Sequence, residues 1–429
     1  MADDIRDASG VSDIVARPRS ATGALTGLVG VIAALAAATL LRNWLEPVWL
    51  KSLATVALAA AAMLAVDLGI YRSHLNPGTG LSQPPLRPLD PVRVTQKLVG
   101  FWVTVGVIAF AYWLLPEYAR DAYAPFKQAA LWCLPALVAL SPFYVAWIDR
   151  RQREPIDAYA QLSGLLAGHR PKDWSALRNH ALGWLVKGFF LPLMFGFTTQ
   201  SLAAMWSRPL LPDPFTFSAV FDRLIDLFYL LDVLLASIAY GLTLRLMDTQ
   251  IRSVEPTLGG WVICLICYEP FVKGVGGTYL LYEGDKLYWG TAFGPYPWLY
   301  AAWGTTLLIL VLVYVWSTAA FGLRFSNLTN RGIITNGPYR WLRHPAYVSK
   351  NLSWWMISVP FVASAGWSVA LQSCLLLGAA NLIYFLRAKT EERHLSQDPI
   401  YREYSAFMAR HGLVAVVSRL WSRRATALA

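Results

Sequence analysis

Two short stretches of the 429-residue sequence collect the residue types that could do chemistry. The first runs Asn330-Arg331-Gly332-Ile333-Ile334-Thr335-Asn336-Gly337-Pro338-Tyr339-Arg340-Trp341-Leu342-Arg343-His344-Pro345-Ala346-Tyr347. Asn336-Gly337-Pro338 is strong turn punctuation. Pro345 suits the first turn of a helix, where its missing N–H costs nothing. The stretch therefore reads as a loop feeding a helix amino terminus, where free N–H groups and the positive dipole end can hold an anion such as a carboxylate. The second stretch is Arg387-Ala388-Lys389-Thr390-Glu391-Glu392-Arg393-His394, followed by Tyr401, Tyr404 and Phe407. Adjacent carboxylates are unusual in so cationic a neighbourhood. The plain account is an exposed helix surface with Arg387 and Glu391 paired at i,i+4, worth only a few tenths of a kcal/mol.

The elements that must position these residues follow from composition. The chain is 56% hydrophobic and 15% charged, with a mean hydropathy of +0.42. Soluble domains are ~45–50% apolar and ~25% charged. Disorder is excluded, because disordered chains need low hydrophobicity. Four Cys in 429 residues exclude a disulfide scaffold. A net charge of +11 dispersed among apolar runs is not a nucleic-acid face. What remains is an all-α, polytopic integral membrane helical bundle.

A membrane-crossing helix needs ~20 mostly apolar residues. Ten segments come near that length: 23–41, 52–70, 98–115, 128–148, 181–205, 224–246, 258–279, 297–320, 345–364 and 367–386. The seventh is interrupted by Glu269, Pro270 and Lys273, so a broken or re-entrant span is the alternative there. If the amino terminus and every second loop face the cytoplasm, that side holds 28 Lys and Arg and the other side 8. Cationic loops translocate poorly, so the split favours about ten transmembrane helices with both termini cytoplasmic. Dropping the seventh span would invert the charge of the loops after it.

Within the spans, Lys187 and Asp232 are expected to form a structural ion pair, with Glu269 a further member of the same polar cluster. Cys264 and Cys267 lack a second ligand pair and read as small packing residues; no metal site is expected. Residues 1–21 read as a disordered polar tail, 22–296 as an amino-terminal membrane region of about seven spans, 297–411 as a core, and 412–429 as a basic tail. The Pro-rich segment 71–97 is a loop, and 149–178 is either an interfacial amphipathic helix or a solvated loop.

In sequence order, Gly337, Tyr339, Arg343, His344, Pro345, Tyr347, Arg387, Glu391, Glu392, Tyr401 and Tyr404 reproduce a known pattern. Segment 330–411 resembles the catalytic core of the isoprenylcysteine carboxyl methyltransferases and the related bacterial phospholipid methyltransferases. One position departs: the family's small Gly two residues after the motif Tyr is Ser349 here. The resemblance implies S-adenosylmethionine as cofactor and a lipid or isoprenoid-type acceptor, with carboxyl O-methylation the expected reaction. By similarity, Gly337, Tyr339 and the segment Arg343, His344, Pro345 and Tyr347 would bind the cofactor. Glu391 and Glu392 would lie near its amino group or sulfonium, and Arg387 would orient the acceptor. Trp341, Tyr339 and Tyr347 offer ring faces to a sulfonium cation. A carboxylate acceptor is ionised at pH 7 and needs no base, whereas an amine or hydroxyl would call on His344 or Glu392. The expected location is a bacterial inner membrane with the site facing the cytoplasm. An NADPH-dependent sterol-type reductase is the alternative, since such enzymes also have about ten spans. It is disfavoured because His344-Pro345 and Glu391-Glu392 stand where the reductases have other residues. A non-catalytic lipid-binding or transport protein is the third reading.

Overall fold

The structure is a computed structural model and describes residues 16–283 and 287–428, with side chains through residue 422. Among the described residues fifteen α-helices follow in order: α1 Ala24–Leu40, α2 Val48–Gly69, α3 Pro91–Leu114, α4 Ala124–Arg151, α5 Ala158–Leu166, α6 Trp174–Trp206, α7 Phe217–Gly241, α8 Leu258–Leu265, α9 Phe271–Tyr279, α10 Trp289–Phe293, α11 Pro297–Ala320, α12 Pro345–Ser358, α13 Trp367–Leu395, α14 Pro399–His411 and α15 Leu413–Leu428. Their starts are written in the sequence. Asp90, Asp157, Asp173, Thr216, Thr257 and Asp398 each cap a helix by accepting a backbone N–H from its first turn. Pro91 and Pro399 lie in first turns, where no N–H is needed. The only strands among the described residues are β1, Ser253–Val254, and β2, Thr329–Asn330, paired antiparallel. They tie the loop after α7 to the motif loop.

Eight of the helices among the described residues are long and apolar enough to cross a membrane: α1 to α4, α6, α7, α11 and α13. The chain is thus a helical membrane protein, but two of the ten expected spans are not single long helices. The seventh breaks into α8 and α9 around Glu269–Pro270. The ninth is α12, whose 14 residues rise about 21 Å against a ~30 Å hydrocarbon core.

Contacts among loops sort the chain by face. The segment before α1, the loops after α2, α4, α7 and α11, and the segment after α13 all meet at one end of the bundle. Arg87 reaches the Gln152 carbonyl, Arg178 that of Pro256, Gln250 that of Gly78, and Arg393 pairs with Glu255. These are the segments the charge count places together. At the opposite end Arg42 donates to the carbonyls of Trp206 and Arg208, which join the loops after α1 and α6.

Two local expectations change. Residues 1–15 of the expected tail lie outside the described residues, but 18–22 are tied to the motif loop. Ala21 N–H donates to the Ile333 carbonyl, Thr335 Oγ1 to the Pro18 carbonyl, and Asn336 Nδ2 to the Thr22 carbonyl. Segment 149–178 contains α5, which packs against α3 where Gly100 lets the Tyr159 backbone approach too closely for any side chain. Lys97, 2% exposed, holds this corner by pairing with Asp149 at 2.9 Å and Asp157 at 3.3 Å.

Candidate functional site

Where the motif loop, α12 and α13 converge with α8 and α11, a cleft with a free volume of about 160 Å³ opens partly to solvent. The loop's shape is set by buried arginines. Arg331, 2% exposed, spends its guanidinium on backbone carbonyls of Thr249, Ala239, Phe325, Leu242 and Leu323 at 2.7 to 3.3 Å. Ala239 and Leu242 lie at the carboxyl end of α7, where bare carbonyls favour a cation. Burial, helped by the like charge of Arg324, pushes Arg331 down to about 9, so it is still cationic at neutral pH. Arg324 is lowered by burial too, and pairs with Asp248 at 3.0 Å.

Gly337 turns the loop with a φ of +54°. A Cβ there would stand 3.1 Å from Ala320 Cβ and 3.3 Å from Trp316 Nε1, so glycine is required for the close seat on α11. Tyr339 follows, and its buried hydroxyl is pushed up in pKa by desolvation. Tyr404 of α14 donates to the Tyr339 carbonyl at 2.7 Å, docking α14 on the loop. Pro345 opens α12 as expected.

The titratable residues meet across α12 and α13. His344 stands between the two carboxylates, with Nδ1 3.6 Å from Glu391 and Nε2 3.3 Å from Glu392. Tyr347 donates to Glu391 at 2.7 Å. Glu392 also takes Arg343 at 3.2 Å and Lys389 at 2.9 Å. Arg387 does not make the i,i+4 pair with Glu391. Its guanidinium, 4% exposed, donates to Asn327 Oδ1 at 2.6 Å and Tyr268 Oη at 3.2 Å. Rings of Tyr268, Tyr347 and Tyr384 surround it at 5.1 to 5.9 Å. No carboxylate lies within ion-pair distance among the described residues, and its Nε has no partner.

Of the residues singled out in sequence, Tyr339, Arg343, His344, Tyr347, Arg387, Glu391, Tyr401 and Tyr404 line the cleft. Glu392 instead lines a shallow neighbouring groove with Arg343 and Lys389. Gly337 and Pro345 shape the backbone without lining it. Trp341 is 51% exposed, packs on Trp316 and is not part of the wall. Ser349 is buried and bonds back to the Pro345 carbonyl at 2.9 Å, so its hydroxyl is spent on its own helix.

The cleft also holds Tyr268, Tyr314, Asn327, Lys350 and Tyr384, which motif reasoning did not single out. Only Lys350 had a usable signal: a cation within an expected span. The ion pair expected between Lys187 and Asp232 is not formed. Asp232 accepts from Tyr314 at 2.6 Å and Thr318 at 2.5 Å, while Lys187 rests on the Trp184 ring. Glu269 pairs locally with Lys273 at 2.9 Å. Cys264 and Cys267 are both free thiols.

Residues 299–397 match the model of the isoprenylcysteine carboxyl methyltransferase (ICMT) family. The matched stretch runs from α11 through α13 and takes in every residue of the His344, Glu391 and Glu392 cluster. It stops short of Tyr401 and Tyr404. No curated protein and no solved structure matches the chain. The match supports a membrane methyltransferase.

Proposed function

We propose that the chain is an S-adenosylmethionine-dependent methyltransferase that acts on the carboxylate of a lipophilic acceptor at the cytoplasmic membrane face. The reading rests chiefly on Arg387, a buried cation with no carboxylate in direct contact, in the wall of a cleft beside the family-matched carboxylates. An arginine so placed needs an anion, because burying a lone charge is costly. A planar guanidinium suits a carboxylate by its fork of donors.

The donor set also fits the cofactor. A cation and an ammonium find ring faces in Tyr339 and Tyr347 and a carboxylate in Glu391. When bound, S-adenosylmethionine supplies an electrophilic methyl group on a sulfonium centre. Arg387 then holds the acceptor carboxylate, which is already ionised at neutral pH and needs no base. The Tyr347 hydrogen bond fixes the Glu391 carboxylate toward the cleft. His344, braced by Glu391 and Glu392, locks α12 against α13. The partly buried walls lower the local polarity, so opposite charges brought together there attract more strongly than in bulk solvent. In this reading residues 22–296 supply the remaining walls, through Glu255, Cys264 and Tyr268.

The test is calorimetric titration of the detergent-purified protein with S-adenosylmethionine and, separately, with NADPH. The expected result is saturable binding of the first alone. Binding of NADPH alone would overturn the assignment in favour of a reductase.

A further inference from the structure

The cleft contains a second cation for which the proposed chemistry has no task. Lys350 lies on α12, one turn beyond Tyr347 and so further from the motif loop. Its Nζ stands 5.6 Å from the ring centre of Tyr314, 5.4 Å from that of Trp354 and 5.5 Å from that of Tyr384. Among the described residues no hydrogen bond or ion pair to it exists. Asp232 lies within its electrostatic reach, but the two oxygens of that carboxylate already accept from Tyr314 and Thr318. Ring faces attract the positive charge and leave the three ammonium donors unmet. Lys350 is half-buried in a cleft that opens partly to solvent, where an entering anion can reach these donors.

Arg387 faces the same Tyr384 ring at 5.9 Å. The two cations thus share one aromatic ring, and both line the same cleft. Neither has a carboxylate in contact, and Arg387 Nε is buried with no partner at all. Two cations that share one ring and have no carboxylate in contact describe a receptor for two acidic groups on one ligand.

We propose that Lys350 determines acceptor specificity by binding a second acidic group, carboxylate or phosphate, one helical turn deeper in the bundle than the carboxylate held by Arg387. This rests on the carboxylate-acceptor reading above. The acceptor class is then a two-acid amphiphile, and a simple fatty or isoprenoid acid is a poor fit.

The test uses the full chain in lipid nanodiscs and three probes with one tail: N-palmitoylglycine, N-palmitoylaspartate and N-palmitoyl-O-phosphoserine. Binding is read from quenching of the intrinsic tryptophan fluorescence. At least one of the two-acid probes is expected to bind roughly tenfold or more tighter than the glycine probe, the return on one charge-assisted hydrogen bond. Whichever of the two wins identifies the second group. Lys350→Met should erase that preference while leaving the glycine probe's affinity in place, and Lys350→Arg should restore it. Equal affinity for all three probes in the wild type overturns the proposal. So does an equal loss for all three in Lys350→Met, which would mark the lysine as structural. S-adenosylmethionine titration of the same samples separates the two readings. Its failure in the wild type sinks the methyltransferase assignment, whereas equal probe affinities with the cofactor bound sink only the role of Lys350.

Discussion

Arg387 is restrained by a tyrosine and an asparagine, so its charge is left to be matched by whatever enters the cleft. Removing it should therefore cost acceptor handling and spare the cofactor. Arg387→Met is expected to lower methyl transfer by about 100-fold or more, as truncating one side of a buried charge pair costs ~2–5 kcal/mol. Calorimetry should show S-adenosylmethionine affinity little changed, and undiminished transfer to membrane lipid would refute the role. Tyr347→Phe removes a single hydrogen bond to Glu391. It should weaken cofactor binding by roughly fivefold, in line with ~1 kcal/mol per bond. Much of this constellation was legible, because His344, Glu391, Glu392 and Arg387 sit at fixed spacings in an ordered pattern. The aromatic box was not. Tyr314 and Tyr384 occupy unremarkable positions in apolar helices and Tyr268 lies in the break after α8, and only the packing of this break with α11 and α13 reveals that they share one cavity. The Lys187–Asp232 pairing failed for a related reason: nearby hydroxyls satisfied the carboxylate first.

At the scale of elements, Arg331 joins the end of α7 to the motif loop through five carbonyls that have few other donors. Arg331→Met should destabilise the protein by about 3 kcal/mol or more, since buried acceptors would lose their partners together. Lys187→Met removes only a contact with the Trp184 ring and should cost under about 1 kcal/mol. Thermal unfolding in detergent compares the two, and similar melting shifts would show that Arg331 is not the clasp described. Long helices were readable from hydropathy because the bilayer demands some twenty apolar residues. Broken elements were readable only in part. Glu269–Pro270 marked where the seventh span divides, and Pro360 inside the apolar run 345–364 carries the signal that stops α12 at Ser358, although hydropathy alone passes over it.

For the whole molecule, the loops that meet at one end of the bundle are the ones richest in Lys and Arg. On a Cys-free background, a cysteine at exposed position 419 should resist a membrane-impermeant maleimide in intact cells, and one at position 208 should react. Labelling at 419 from outside would invert the orientation. Deleting residues 1–22 removes the contacts of Pro18, Ala21 and Thr22 with the motif loop. The truncated protein should hold S-adenosylmethionine roughly tenfold less tightly, and unaltered affinity would show that the strap does not shape the site. The arginine clasp also bears on how the chain is made. Arg331 lies 92 residues after Ala239, whose carbonyl it binds. At ~5–20 residues per second, a ribosome needs on the order of ten seconds to cover that distance. For that interval the nascent α7 carries unfilled acceptors at its end, and only water or the insertion machinery can fill them. Completion of this joint is thereby timed by translation, and the motif loop closes it before α12 and α13 follow.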